Sequence, residues 1–400
     1  MSSKRPSVIA VGWVNSLIEK CSRITSTGRF IPELDGLRAL AIGLVFVQHL
    51  WETLPAQARP GGGGASFGVR LFADAFFGVE LFFVISGFIL ALPFASCYAA
   101  AGPRVSWKAY YLRRLSRLEP PYILHLVLVA TVLLLIGHSL AEVGPHLFAS
   151  LFYISNVLYG QFPVHALNSV TWSLEIEVQF YLLAPLFGQV FRLSRRFRTM
   201  AISLGALLAF GVRQVLEWRF GHFPLTLLTY IPYFAVGFLL AETYAIDWRE
   251  ESPSRAGADF VAFVAWMVLL FVFQIRIPCR TLIVAGGLYV AVGASLQSNF
   301  IKRSLANRVV RTIGGMCYSI YLLHLVLLRW FVSIVHLPVS RDSAPGMIIA
   351  ILVFGLPVLG ISAVYFVLVE KPCMQREWWR RYLPLQGATC RSLWTRTHDA

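Results

Sequence analysis

The stretch LDGLRALAIGLVFVQHL, residues 34–50, decides how the chain is read. Its composition is that of a lipid-soluble helix, yet it carries Asp35, Arg38 and His49. An α-helix turns about 100° per residue, so eleven residues return Arg38 and His49 to within about 20° of each other. At about 1.5 Å per residue they lie some 16 Å apart along the axis. Asp35 and Glu52 fall within about 60° of the same stripe. Ionisable side chains are costly in hydrocarbon and normally face a protein interior or a watery cavity. A stripe of four on one apolar helix therefore predicts an inward-facing functional face. Arg38 alone, near the helix start, also fits a snorkelling anchor. Histidine is a poor anchor and a good base.

The rest of the chain has the same apolar character. Of 400 residues, 57% are hydrophobic and only 14% charged. About ten runs reach the length that spans a bilayer core. They lie near residues 37–54, 71–95, 120–138, 170–191, 199–216, 224–244, 258–275, 281–297, 312–335 and 346–369. The apolar run over 147–159 is too short for a span and reads as a re-entrant or interfacial piece. These features predict an all-α polytopic membrane bundle of about ten transmembrane helices.

The net charge of +15 could point to nucleic acid, but its distribution explains it otherwise. Basic residues cluster in alternate connections, and about 27 of the 35 fall on one side of the ten-span map, with seven on the other and Arg329 within a span. The bias places both termini in the cytoplasm, with attraction for anionic headgroups and no nucleic-acid partner. Residues 1–33 read as a basic cytoplasmic segment without a cleavable signal. Val8, Ile9, Trp13, Val14, Leu17 and Ile18 are spaced either for an amphipathic helix on the membrane surface or for a plain basic leader. Residues 34–375 form the membrane domain, and 376–400 a cytoplasmic tail. The run PGGGGA, 60–65, reads as a flexible outer loop. The cysteines at 21, 97, 279, 317, 373 and 390 show no CxxC pair or Cys/His ligand spacing, so neither a disulfide nor a metal is expected.

Within this map several motifs occur in order. LDGLRA (34–39) is followed by His49, completing Arg-x10-His. Then come FFGVELFFVISGFIL (76–90), RRLSRLEPPYIL (113–124), NSVTWSLEIEVQFYLLAPL (168–186), GMCYSIYLLHLVLL (315–328) and VEKP (369–372). Together they resemble the membrane acyltransferase-3 family over roughly residues 30–375. The departures are Glu80 where the family usually has Asp, Glu119 where an aromatic or small residue is common, and Val178 in place of the second Glu of a Glu-Glu pair. No hydrolase-like domain is expected after residue 375, unlike in some relatives. The protein would then act on its acceptor alone or hand the acyl group to a partner.

The resemblance implies transfer of an acyl group, by family habit acetyl, from acyl-CoA as donor substrate to a hydroxyl. The acceptor would be a surface or exported glycan, a lipid-linked sugar or a secreted small molecule, and the setting the bacterial inner membrane. No tightly bound cofactor or metal is implied. His49 would take the acceptor's proton or carry the acyl group itself, with Asp35, Arg38 and Glu177 completing the catalytic set. CoA phosphates call for arginine forks, a role open to Arg38, Arg113, Arg114 and Arg117. Arg114 and Arg117, three apart, share a helix face. Glu175 and Glu177 lie about 200° apart and cannot serve one site equally. Glu177, joined at i−4 and i+4 by Ser173 and Tyr181, would orient a base, bind a sugar hydroxyl or pair with an arginine. Glu52, Glu80, Trp172, Ser173, Tyr321 and His324 are the candidate substrate contacts, although Trp172 also suits an aromatic belt. His125, His138, His146, His165, His222 and His336 fit no pattern. Gly87 permits close helix packing or a kink. A transporter or flippase could use the same ionisable groups for proton coupling; the ordered motifs favour the enzyme.

Overall fold

The structure, a computed structural model, describes residues 15–16, 18–24, 30–55, 77–159, 167–221, 226–248, 256–272, 279–339, 341–375 and 378. The run PGGGGA, His165, His222, Cys390 and all but Ile18 of the apolar N-terminal positions lie outside them. Among the described residues every regular element is helical. The helices are α1 Pro32–Thr53, α2 Phe77–Ala99, α3 Trp107–Leu135, α4 Leu140–Leu151, α5 Ser155–Tyr159, α6 Trp172–Phe187, α7 Arg195–Phe220 and α8 Leu227–Asp247. They continue with α9 Ala258–Val272, α10 Arg280–Gln297, α11 Phe300–Leu305, α12 Arg308–Gly315, α13 Cys317–Ile334 and α14 Ala344–Tyr365. A π turn, Phe366–Glu370, and the short α15 Lys371–Cys373 extend α14.

Eight helices are long and apolar enough to cross a membrane: α1, α2, α3, α7, α8, α10, α13 and α14 with its extension. Two further predicted runs form shorter helices, α6 of 16 residues and α9 of 15. The run over 147–159 ends α4 and forms α5, neither long enough to span. Leu204, Leu208 and Val215 on α7, and Ile348, Leu352 and Leu356 on α14, are exposed. Such apolar surface would aggregate in water, whereas acyl chains cover it without cost. The protein is an integral multi-pass membrane protein.

The third predicted span starts near residue 120, but α3 starts at Trp107, where the Ser106 side chain accepts from the Ala109 N–H. It continues through Pro120 and Pro121. A proline has no N–H for the carbonyl four residues earlier, and the freed Ser116 carbonyl accepts from the Trp378 indole at 3.0 Å.

Where helices touch, glycine sets the distance. A Cβ on Gly237 of α8 would stand 2.4 Å from the Phe88 nitrogen and the Val84 oxygen of α2, and one on Gly87 2.5 Å from the Phe234 oxygen. Of the two readings for Gly87, close packing is the one realised. Around α1 lie α2, α11, α12, α13 and α14. Gly314 of α12 sits so near that its Cβ would fall 1.6 Å from the Asp35 carbonyl oxygen. At one end of the bundle Arg198 of α7 is buried against Glu242 of α8, Nη2 to Oε1 2.6 Å, and its Nη1 donates to the carbonyls of Phe191 and Leu193.

These contacts set the expected stability of two variants, and an open position that of a third. Glu242→Ala leaves Arg198 as a buried charge without its carboxylate and should cost about 3–5 kcal/mol, read as a lower unfolding midpoint in detergent. Gly314→Ala should destabilise by about 1–3 kcal/mol and lower activity by displacing the first turn of α1. Gly43→Ala, where a Cβ meets nothing within 4 Å, should be neutral or slightly stabilising in the same assay.

Candidate active site

The stripe on α1 faces α12 and α13, buried at Asp35, half-buried at Arg38 and His49 and exposed at Glu52. At its start Asp35, 1% exposed, accepts through one oxygen from both Arg38 and Arg23, each at 2.7 Å. Arg117 of α3 approaches the buried Glu370 at 3.9 Å. The π turn brings Glu370 round to α13, where it accepts from the Ser319 N–H at 3.1 Å and from its hydroxyl at 2.5 Å. It thereby satisfies an N–H of the first turn that has no partner within the helix. Cys317 lies among Asp35, Arg38, Arg117 and Glu370. The Arg114 guanidinium lies over the Tyr181 ring at 5.6 Å and the Tyr110 ring at 6.0 Å. Arg38, Arg114 and Arg117 thus converge. Arg113, one residue round the helix from Arg114, is exposed.

Three turns along α1, His49 meets His324 of α13 with ring centroids 5.2 Å apart. The His49 Nδ1 lies 3.0 Å from Glu52 Oε2, and Gln48 Nε2 donates to the other Glu52 oxygen at 2.9 Å. A carboxylate accepts only, so Nδ1 carries a hydrogen, and in the neutral ring Nε2 is the nitrogen with the lone pair. In His324, Nδ1 lies 2.8 Å from the Tyr321 carbonyl and 3.1 Å from that of Ile320. It too must donate, which leaves a buried Nε2 without a partner among the described residues. Tyr321 joins the group: its ring centroid is 6.3 Å from that of His324, and its hydroxyl bonds the Val170 carbonyl and lies 3.1 Å from Ser173 Oγ. Arg329 lies near Glu52.

Glu177 does not touch His49. One of its oxygens accepts from the hydroxyls of Ser86 and Tyr181, and it makes no ion pair among the described residues. Neither the arginine pairing nor a contact with His49 is found: the carboxylate beside His49 is Glu52, first assigned to substrate contact. Of its two expected neighbours on α6, Tyr181 joins Glu177 while Ser173 turns to Tyr321. Glu175, on the opposite side as the spacing required, accepts from the Asn156 N–H at 2.8 Å.

Glu80 and Trp172 form a separate group. Trp172 packs on the main core through Tyr230 at 5.6 Å, which displaces the aromatic-belt reading. Glu80 acts electrostatically on Tyr230 and Tyr233 of α8 and lies near Arg280 of α10. Glu119 accepts from the Tyr153 hydroxyl at 3.1 Å.

Several residues at the site were missed. Arg23 precedes every motif. Ser86 and Glu370 lie within quoted motifs, so the signal was present. His125 fitted no pattern, yet its Nε2 lies 2.9 Å from Asn168 Nδ2, which also donates to the Leu322 carbonyl at 2.8 Å. This junction ties α3 to α13 through the non-α segment ahead of α6.

Comparison with known proteins agrees with this geometry. Residues 31–367 match the acyltransferase-3 model, described as an acyltransferase domain. A Staphylococcus aureus strain COL protein provisionally named an O-acetyltransferase is 28% identical over 334 residues, covering 77% of this chain and 52% of its own length. The O-acetyltransferase OatA of S. aureus strain NCTC 8325 is 28% identical over 323 residues, covering 74% and 50%. The chain therefore spans about half the length of the curated relatives it matches. No solved structure matches it. With a family match over most of its length, on a bundle that sets the Arg-x10-His pair along one half-buried seam, the chain belongs to the acyltransferase-3 family of membrane acyltransferases.

Proposed function

We propose that the protein is an O-acyltransferase of the bacterial inner membrane, moving an acetyl group from acetyl-CoA to a hydroxyl. The acceptor would be an exported or surface glycan, a lipid-linked sugar or a secreted small molecule. The observation that carries this reading is the order of groups along α1. A guanidinium cluster stands at the end rich in arginine and lysine, and an imidazole pair about 16 Å further along. The basic end faces the cytoplasm by the charge bias. Phosphates held there let the pantetheine arm run inward along α1, so that a cytoplasmic donor meets an acceptor arriving from the other side.

In this mechanism the acceptor hydroxyl gives its proton to His49 Nε2 as its oxygen attacks the thioester carbonyl. The carbon–sulfur bond of the tetrahedral intermediate then breaks, and the CoA thiolate takes the proton back from the imidazolium. Glu52 holds the ring by Nδ1 and stabilises its charged form, the part a carboxylate plays behind a histidine base elsewhere. His324 Nε2, a buried acceptor beside the base, would take a hydrogen from a second hydroxyl of the acceptor and so help to orient it. The names of the relatives favour acetyl as the group moved.

The test uses membranes containing wild type or variants at matched levels, fed radiolabelled acetyl-CoA, with base-labile label followed in glycan, lipid and small-molecule fractions. His49→Ala should lower esterified label by about 10²–10⁴-fold, the range a general base supplies. Glu52→Gln, which keeps the shape and removes the charge, should lower kcat by less and leave the donor KM unchanged. Equal label with His49→Ala would remove His49 from the mechanism. Uptake of acetyl-CoA without ester would replace the enzyme by a transporter.

A further inference from the structure

The cluster at the basic end is not neutral. Three guanidiniums, those of Arg23, Arg38 and Arg117, stand against two carboxylates, Asp35 and Glu370. One oxygen of Asp35 serves both Arg23 and Arg38, while Glu370 is engaged chiefly by Ser319. The Nε hydrogens of Arg23 and Arg117 are buried and have no partner among the described residues. Arg23 belongs to the segment ahead of α1. Its burial, with Arg38 and Arg117 nearby, pushes it down to about 10, still charged at neutral pH.

The position of Arg23 is built rather than incidental. Its aliphatic stem lies on Gly315, where a Cβ would stand 3.5–3.7 Å from three of its carbons. The helical stretch before it is tied to the far end of the chain by Lys371, whose Nζ donates to the Lys20 carbonyl at 2.6 Å and reaches that of Glu19 at 3.4 Å. Arg23 and Arg311 both reach the Phe30 ring, at 6.0 and 5.6 Å. A surface anchor would extend into headgroups or water. This side chain instead turns inward onto the first turn of α1, beside the Arg38 assigned to the donor.

We infer that Arg23 is a donor-binding residue, the third guanidinium of a phosphate site shared with Arg38 and Arg117. Half-buried cations in excess, with buried N–H groups still to be satisfied, are matched by an anion offering several acceptor oxygens, as a phosphoryl group does. This inference rests on the reading of acyl-CoA as the donor. A lipid headgroup presents the same phosphoryl chemistry, and the experiment separates the two.

The full chain in phosphatidylcholine nanodiscs, as wild type, Arg23→Gln and Arg23→Lys, is titrated calorimetrically with CoA and with pantetheine, which lacks every phosphate. Arg23→Gln should weaken CoA by about 10–100-fold, the loss expected for a charged hydrogen bond, and leave pantetheine within about twofold. Arg23→Lys should recover part of the loss, keeping the charge without the fork. An equal loss for both ligands would show that Arg23 holds the fold of the whole site and not the phosphates, and an unchanged CoA affinity would remove it from the site; either overturns the inference. So would an effect of Arg23→Gln confined to the stabilisation that added phosphatidylglycerol gives, which would make the lipid phosphate its partner. Wild type that binds CoA no better than pantetheine would overturn the donor reading itself, a result distinct from an unresponsive Arg23.

Discussion

The constraint on which the bundle depends is the cost of placing ionisable groups of one helix inside an apolar protein. A charge taken from water without a partner costs several kcal/mol or more, and α1 carries Asp35, Arg38, His49 and Glu52 on a single side. Their neighbours are arranged accordingly. Arg23 and Arg38 share Asp35, Gln48 and His49 share Glu52, and His324 faces His49. The close approach at Gly314 brings α12 onto the first turn of α1, so α13, which follows it, runs beside the stripe. Packing and electrostatics therefore solve one problem here: glycine on the neighbour lets the partner helix come near enough to supply polar contacts.

The same arrangement sorts the charges by chemistry. Guanidiniums gather at one end, where they suit phosphate and cannot act as bases at neutral pH. Imidazoles with committed Nδ1 hydrogens stand further in, where they suit proton transfer. Two carboxylates that look equivalent on paper divide in the same way. Glu177 takes the hydroxyls of Ser86 and Tyr181 beneath Arg114, whereas Glu52 takes the ring of His49. Tyr181, lying between Glu177 and the Arg114 guanidinium, couples α6 to the arginine end through a cation–π contact, without a direct ion pair.

Much of this was legible where both partners lie on one helix. Helical periodicity alone put Asp35, Arg38, His49 and Glu52 on one face, parted Glu175 from Glu177 and aligned Arg114 with Arg117. It failed where a contact joins distant segments. Arg23 reaches Asp35 across a connection that no period describes. Trp172 carried the marks of a sugar contact and of a belt residue, and its packing on Tyr230 in the core was not among the readings its sequence suggested. Arg114 and Arg117 were placed on a helix, but the third span was begun only at residue 120, because a Pro-Pro pair reads as a helix boundary, while the carbonyl that Pro120 frees is taken by Trp378, 262 residues away.

The least legible part explains the short sixth helix. Residues 168–171 carry polar groups and a 3-10 turn beside the body of α13, a place where irregular backbone survives only if its groups are satisfied within the protein. They are satisfied: Asn168 bonds His125 and the Leu322 carbonyl, Thr171 returns to the Asn168 carbonyl, and the Val170 carbonyl takes Tyr321. Because these bonds hold the segment inside, α6 can begin within the bundle and needs only 16 residues to reach Phe187. Starting there, it presents Ser173 to Tyr321, one turn from His324. A helix that entered from the bilayer surface with full length would carry Ser173 past that level. The shortness of α6 and the make-up of the imidazole end thus have a single cause, the anchoring of Asn168 between α3 and α13.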